Sequence, residues 1–217
     1  MAQAYQCRLP DRVVASAAPK PDGPVIRAAI ARYTLALSWS PEFCRTRARD
    51  PGNALQCGGA QGRFGFIVHG LWPEAQSGRP PQWCALSPRP APASLRANLC
   101  MTPSAQLLEH EWAKHGSCMA RRPDGYFGVT KILWDALRFP DMDWLSRQDG
   151  LTARDLRQAF VALNPGWRSD ALAVDTGRSG WLRELRLCYD LQFMPATCPR
   201  GQGGAGDGVK LKIWRGL

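Results

Sequence analysis

Residues 33–40 read YTLALSWS, in which Tyr33, Leu35, Leu37 and Trp39 alternate with Thr34, Ala36, Ser38 and Ser40. A period of two is the pattern of a half-buried strand, and Pro41 should end it. Working outward, a second strand is expected over 64–69, with Phe64, Phe66 and Val68 on one face and Ile67 and His69 on the other, which puts His69 at a strand end. Late strands fit 183–191 and 209–214, separated by the turn-forming run PRGQGGAGDG. Helices fit 104–117, with Thr102 as cap and Pro103 in the first turn, and 124–138, ending before Pro140. A third fits 153–163, where Thr152 and Asp155 have the spacing of a capping box. Strands and helices do not alternate regularly. The expected class is therefore α+β, a central antiparallel sheet with helices packed against it in a single domain.

Two stretches escape this pattern. Residues 1–32 are broken by Pro10, Pro19, Pro21 and Pro24 and are expected to form an irregular leader, with the domain proper spanning 33–217. Residues 73–102 are rich in proline, contain Cys84 and Cys100, and are expected to be a long pinned loop lining a cleft.

At 217 residues, with 45% hydrophobic and 21% charged residues, the composition is globular and suits one core. No apolar run approaches the ~18 to 20 residues of a membrane span. Lys and Arg number 28 against 18 Asp and Glu, a formal net charge of +10, which attracts polyanions without naming one. Eight cysteines with no C-x-x-C spacing are expected to form four disulfides in an oxidising compartment, periplasmic or extracellular. The N-terminus MAQAYQCRLPD has no charged segment followed by an apolar core, so a signal peptide is expected to have been removed.

The chemistry concentrates in two short segments, because all three histidines, His69, His110 and His115, lie in FIVHGLWPE (66–74) and LLEHEWAKHGSC (107–118). On a helix His110 and Lys114 are four apart, as are Glu111 and His115, so four polar groups share one side and suit a cleft holding a charged ligand. A zincin-like metal site is the rival reading of HEWAKH. It has one residue too many: histidines five apart diverge by about 140° on a helix, and Lys114 would set a positive charge beside the cation. No G-x-S-x-G elbow, P-loop or Rossmann glycine pattern occurs. Phosphodiester chemistry with paired histidines is what the residues support, with a nonenzymatic RNA binder and a metal-dependent nuclease as alternatives.

Those two segments resemble the active-site segments of the ribonuclease T2 family. The similarity extends to LALSWSPEFC (35–44), YFG (126–128) and LRELRLCYDLQF (182–193) followed by Cys198-Pro199. The resemblance implies an endoribonuclease that cleaves single-stranded RNA through a 2′,3′-cyclic phosphate to 3′-phosphate ends, without metal or cofactor and without cutting DNA. It implies His115 as general base, His69 as general acid, Lys114 and Glu111 in the catalytic cluster, and His110 on a phosphate oxygen. Trp72 is implied as a base-stacking face, its alternative being a core indole; Phe43 and Tyr126 are further aromatic candidates. Arg63, Arg121 and Arg122 are assigned to solvated surface. The family pattern implies the pairs Cys84–Cys118, Cys44–Cys57 and Cys188–Cys198, leaving Cys7–Cys100.

Overall fold

The computed structural model describes residues 4–5, 7–13 and 17–216. Its strands are β1 (Ala4–Tyr5), β2 (Ile30–Trp39), β3 (Arg63–Phe64), β4 (Phe66–Ala75), β5 (Leu172–Thr176) and β6 (Leu182–Tyr189). Its helices are α1 (Ser40–Cys44), α2 (Ala54–Cys57), α3 (Pro92–Asn98), α4 (Ala105–Lys114), α5 (Pro123–Asp135), α6 (Met142–Leu145) and α7 (Ala153–Leu163). Four strands form an antiparallel sheet in the order β4-β2-β6-β5, and β1 pairs separately with β3. The class is α+β, with helices against an antiparallel sheet.

The alternation in YTLALSWS builds the central strand β2, flanked on both sides by β4 and β6. It is more than half-buried: Thr34, Leu35, Ala36 and Leu37 are all buried, because both faces of a central strand are covered there. Leu35, Leu37, Leu185, Leu187, Leu172 and Val174 pack into one core with Leu156 and Phe160 of α7. That helix matches its expected bounds, and Thr152 and Asp155 form both hydrogen bonds of the capping box.

The second strand differs from expectation in a way that matters for the site. It continues through Pro73 to Ala75 on the sheet edge, where a residue without an N–H is tolerated. His69 is therefore inside the strand. Pairing shifts register between Ala36↔Gly70 and Leu37↔Val68, which leaves His69 as the extra residue of a β-bulge with no partner on β2. A bulge re-aims the side chain it carries, and such irregularities favour functional sites.

Other boundaries move for local reasons. Thr102 gives its hydroxyl to the carbonyl of Val68, so Ser104 caps α4, and the helix ends at Lys114 with His115 as its C-terminal cap. Residues 73–102 are not one loop, since they include the end of β4 and the Pro-initiated helix α3. Residues 209–214 form bridges rather than a strand, because their backbone is divided between residues 151–153 and 180–182. The strand β5 and the short helices α1, α2 and α6 carry too few residues to show a period in the sequence. The leader is stitched to the domain by an Ile26↔Gln82 bridge, by Arg96 Nε donating to the carbonyl of Pro10, and by Cys7–Cys100. The remaining disulfides join Cys44–Cys57, Cys84–Cys118 and Cys188–Cys198. Among the described residues no helix is long and apolar enough to cross a membrane.

Candidate active site

The bulge in β4 and the C-terminal half of α4 meet at the side chain of Glu111. Glu111 is buried, its Oε1 lying 3.6 Å from His69 Nε2 and its Oε2 4.0 Å from His115 Nε2. Trp72 donates its indole N–H to the same Oε2 at 2.8 Å. The approach is close enough to require Gly70, because a Cβ there would overlap Glu111 Oε2 and crowd the indole nitrogen. Tyr126 braces the strand by accepting the N–H of Leu71 on its hydroxyl.

Burial acts differently on the three titratable groups. For Glu111 it is the largest influence and disfavours the anion; His69, the Trp72 hydrogen bond and Lys114 oppose it, and the carboxyl is pushed up to about 7. For His115 burial is again largest, and the positive surroundings of Lys114, His110 and His69 add to it, bringing the imidazole down to about 3. Its Nδ1 is buried without a hydrogen-bond partner among the described residues, so nothing there favours a second ring proton. Burial also disfavours charge on His69, but the hydrogen bond to Glu184 and the fields of Glu111 and Glu184 outweigh it, and its pKa is raised. One imidazole is biased toward the neutral form and the other toward the cation.

Glu184, like Asp22, is a site residue that the two histidine-bearing segments do not reveal. It lies on β6 opposite Ser38 and holds His69 Nδ1 at 2.8 Å. The signal for Glu184 is a carboxylate in an alternating strand segment, LRELRLCYD, with an arginine two residues on, the spacing that puts Glu184 and Arg186 on one face of a strand.

The other expected site residues are divided. His110 lines the same cleft as His69 and Trp72, a hollow of about 730 Å³ that also includes Phe43, Arg47, Leu107 and Arg186. No residue of 73–102 lines this cleft, but Glu74 lines a smaller hollow beside it that shares Trp72 and Arg186. His110 stands edge-on to Trp83 at 5.4 Å, whereas His115 lies against Trp72 at 5.7 Å, so the two histidines of α4 face different neighbours. Burial first, then Lys114, lowers the pKa of His110. Lys114 is held at 2.7 Å by Asp22 of the leader, whose other oxygen accepts from Trp83 Nε1 at 3.1 Å. The four polar groups of α4 thus do not all face one side: Glu111 and His115 turn to Trp72, and Lys114 turns to Asp22.

Trp72 is neither a core indole nor a free stacking face, being half-buried, edge-on to His69 at 5.2 Å and anchored to Glu111. Tyr126 is buried and so offers no stacking face. Phe43 is half-buried in the cleft lining beneath the Arg47 guanidinium, 4.8 Å from its ring centroid. Arg63, Arg121 and Arg122 are exposed and do not line the cleft.

The sequence pattern of the ribonuclease T2 family matches residues 31–157. A probable ribonuclease of Haemophilus influenzae is 33% identical over 183 residues, covering 79% of this chain and 62% of that protein. A ribonuclease of Aeromonas hydrophila is 42% identical over 86 residues, 40% of this chain and 36% of that protein. The chain thus spans less than two-thirds of the length of either relative. Among solved structures, trichomaglin, described as an S-like ribonuclease, superposes with a TM-score of 0.65 at 22% identity, over 85% of this chain and 97% of that one. RNase NT, solved with 5′-AMP, gives 0.62 at 20% identity, over 85% and 98%. At such identities the likeness is one of fold, whereas the sequence pattern covers more than half of the chain: this protein belongs to the ribonuclease T2 family.

Proposed function

We propose that this protein is an endoribonuclease that cleaves single-stranded RNA by paired histidine acid–base catalysis. The observation that carries the reading is the pair of imidazoles flanking buried Glu111, with His115 biased to the neutral form and His69 to the cation. A neutral imidazole can accept a proton and a charged one can give it, and each transfer is worth roughly 10²- to 10⁴-fold in rate.

In this mechanism His115 takes the proton of the ribose 2′-hydroxyl as O2′ attacks phosphorus. The P–O5′ bond breaks, and His69 gives its Nε2 proton to O5′. The products are a 2′,3′-cyclic phosphate and a free 5′-hydroxyl; water then opens the ring to a 3′-phosphate with the proton roles reversed. No step calls for a metal or a cofactor. Glu111, raised to about 7, lies between the two rings, favours the cation of His69 and keeps the indole of Trp72 in place. From the cleft wall His110 contacts a phosphate oxygen in this mechanism, and Lys114, one helical turn further along α4, adds positive potential. Trp72, anchored at its indole nitrogen, and Phe43 line the cleft in which the bases would lie.

The formal charge of +10 favours encounter with a polyanion. The names of the relatives and the 5′-AMP bound by RNase NT support a nucleotide-binding cleft. Four disulfides suit a periplasmic or secreted protein. DNA, lacking the 2′-hydroxyl, is not a substrate by this route.

The test is digestion of a defined RNA and its matched DNA in the presence of chelator, with the ends identified. Cyclic phosphate and 3′-phosphate ends on RNA alone are expected. Cleavage of the DNA, or dependence on added metal, contradicts the proposal.

A further inference from the structure

We propose that Glu184 is a positioning residue for His69: by accepting the Nδ1 proton it fixes the tautomer and ring orientation, so that Nε2 is the nitrogen that delivers a proton to the departing O5′. This deepens the acid–base reading above and rests on it.

The bulge gives His69 no cross-strand partner, so backbone pairing alone does not fix where its ring points. Glu184 supplies that constraint from the neighbouring region of the sheet. Its own place is set by β2–β6 pairing opposite Ser38. Its Oε2 accepts from His69 Nδ1 at 2.8 Å and from the Ser38 hydroxyl at 3.4 Å, while its Oε1 accepts from Arg186 Nε at 2.8 Å. Arg186 is steadied in turn by Asp175 of β5, 3.5 Å away. Burial alone would raise the Glu184 carboxyl, but the His69 hydrogen bond and charge together with Arg186 overcome it, and the group is held below its ordinary value. A buried anion that keeps its charge is a partner for an imidazolium; an aligned carboxylate behind a catalytic imidazole sets which ring nitrogen faces the substrate.

Other charges also face His69. Glu111 favours its cation; Arg186 disfavours it, and His110 and His115 of α4 are close enough to be coupled to it. Glu184 is the one hydrogen-bonded to Nδ1.

The experiment compares two substrates carrying the same base: a dinucleoside phosphate, whose departing alkoxide needs a proton, and a nucleoside 3′-(4-nitrophenyl phosphate), whose leaving group does not. Glu184→Ala should lower kcat on the dinucleoside phosphate roughly 10- to 100-fold with KM little changed, and move the alkaline limb of its pH profile to lower pH. On the nitrophenyl ester the variant should stay within about threefold of wild type, which also shows that it is folded. Glu184→Gln, whose amide oxygen can still accept from Nδ1, should recover part of kcat but not the position of the limb. An equal loss on both substrates, or an alkaline limb that does not move, overturns the assignment of Glu184. A wild-type protein that cleaves neither substrate overturns the acid–base reading itself.

Discussion

Glu111 Oε1 lies 3.6 Å from His69 Nε2, and the carboxyl that makes this contact is buried. Its pKa of about 7 stands above the ordinary carboxylate value of 4.5 mainly because burial penalises the anion. The stability consequence has a definite sign. A group raised on folding contributes stability that is fully present below its unfolded pKa, near 4.5, and is lost as pH rises through about 7. Glu111→Gln removes the titration while keeping an acceptor for the Trp72 indole. The variant should gain on wild type as pH rises from 5 to 8, by on the order of 1 to 3 kcal/mol. Thermal melts at both pH values check this; a difference between the two proteins that does not change with pH contradicts it.

Gly70 owes its place to the same carboxylate. Alanine there would put a methyl group onto Glu111 Oε2 and against the Trp72 indole, both of which are fixed by their mutual hydrogen bond. Gly70→Ala should destabilise the protein by about 1 to 3 kcal/mol, the usual range for overpacking, and should reduce activity by a larger factor than its effect on the folded fraction. Chemical denaturation and steady-state kinetics on one preparation separate the two effects.

Asp22 reaches Lys114 from the leader, and its own pKa is lowered chiefly by that hydrogen bond. The carboxylate offsets a positive charge beside the cleft where a phosphate is expected to bind. Asp22→Asn should therefore lower KM for polymeric RNA, by about two- to fivefold at low ionic strength, with the difference shrinking as salt is added. Steady-state kinetics at two salt concentrations measure it, and an increase in KM would show instead that Asp22 holds Lys114 in its working position.

How much of this was legible in the sequence depends on how far each feature reaches along the chain. The capping box at Thr152 and Asp155 is a contact between residues three apart and sits where the sequence puts it. The alternation of Leu35 and Leu37 identified the central strand, but period alone does not say that a second layer covers Thr34 and Ala36 as well. His69, Glu111 and His115 stand out in the sequence because two short segments hold every histidine. The bulge that turns His69 toward Glu111 arises from pairing between β2 and β4 and has no local signature. Glu184 and Asp22 approach the site across 115 and 92 residues of chain, respectively. Only the folded sheet and the stitched leader bring them there.

The mechanism depends on the division of labour between His69 and His115, and a proton NMR titration of the imidazole C2 protons measures that division. The chain has only three histidines, so single substitutions assign every signal. His69 should titrate above 6.5, and His115 should stay neutral until the pH falls far below it, toward about 3. His115 titrating above His69 would contradict it, because the proposed base would then be the ring that holds its proton more tightly.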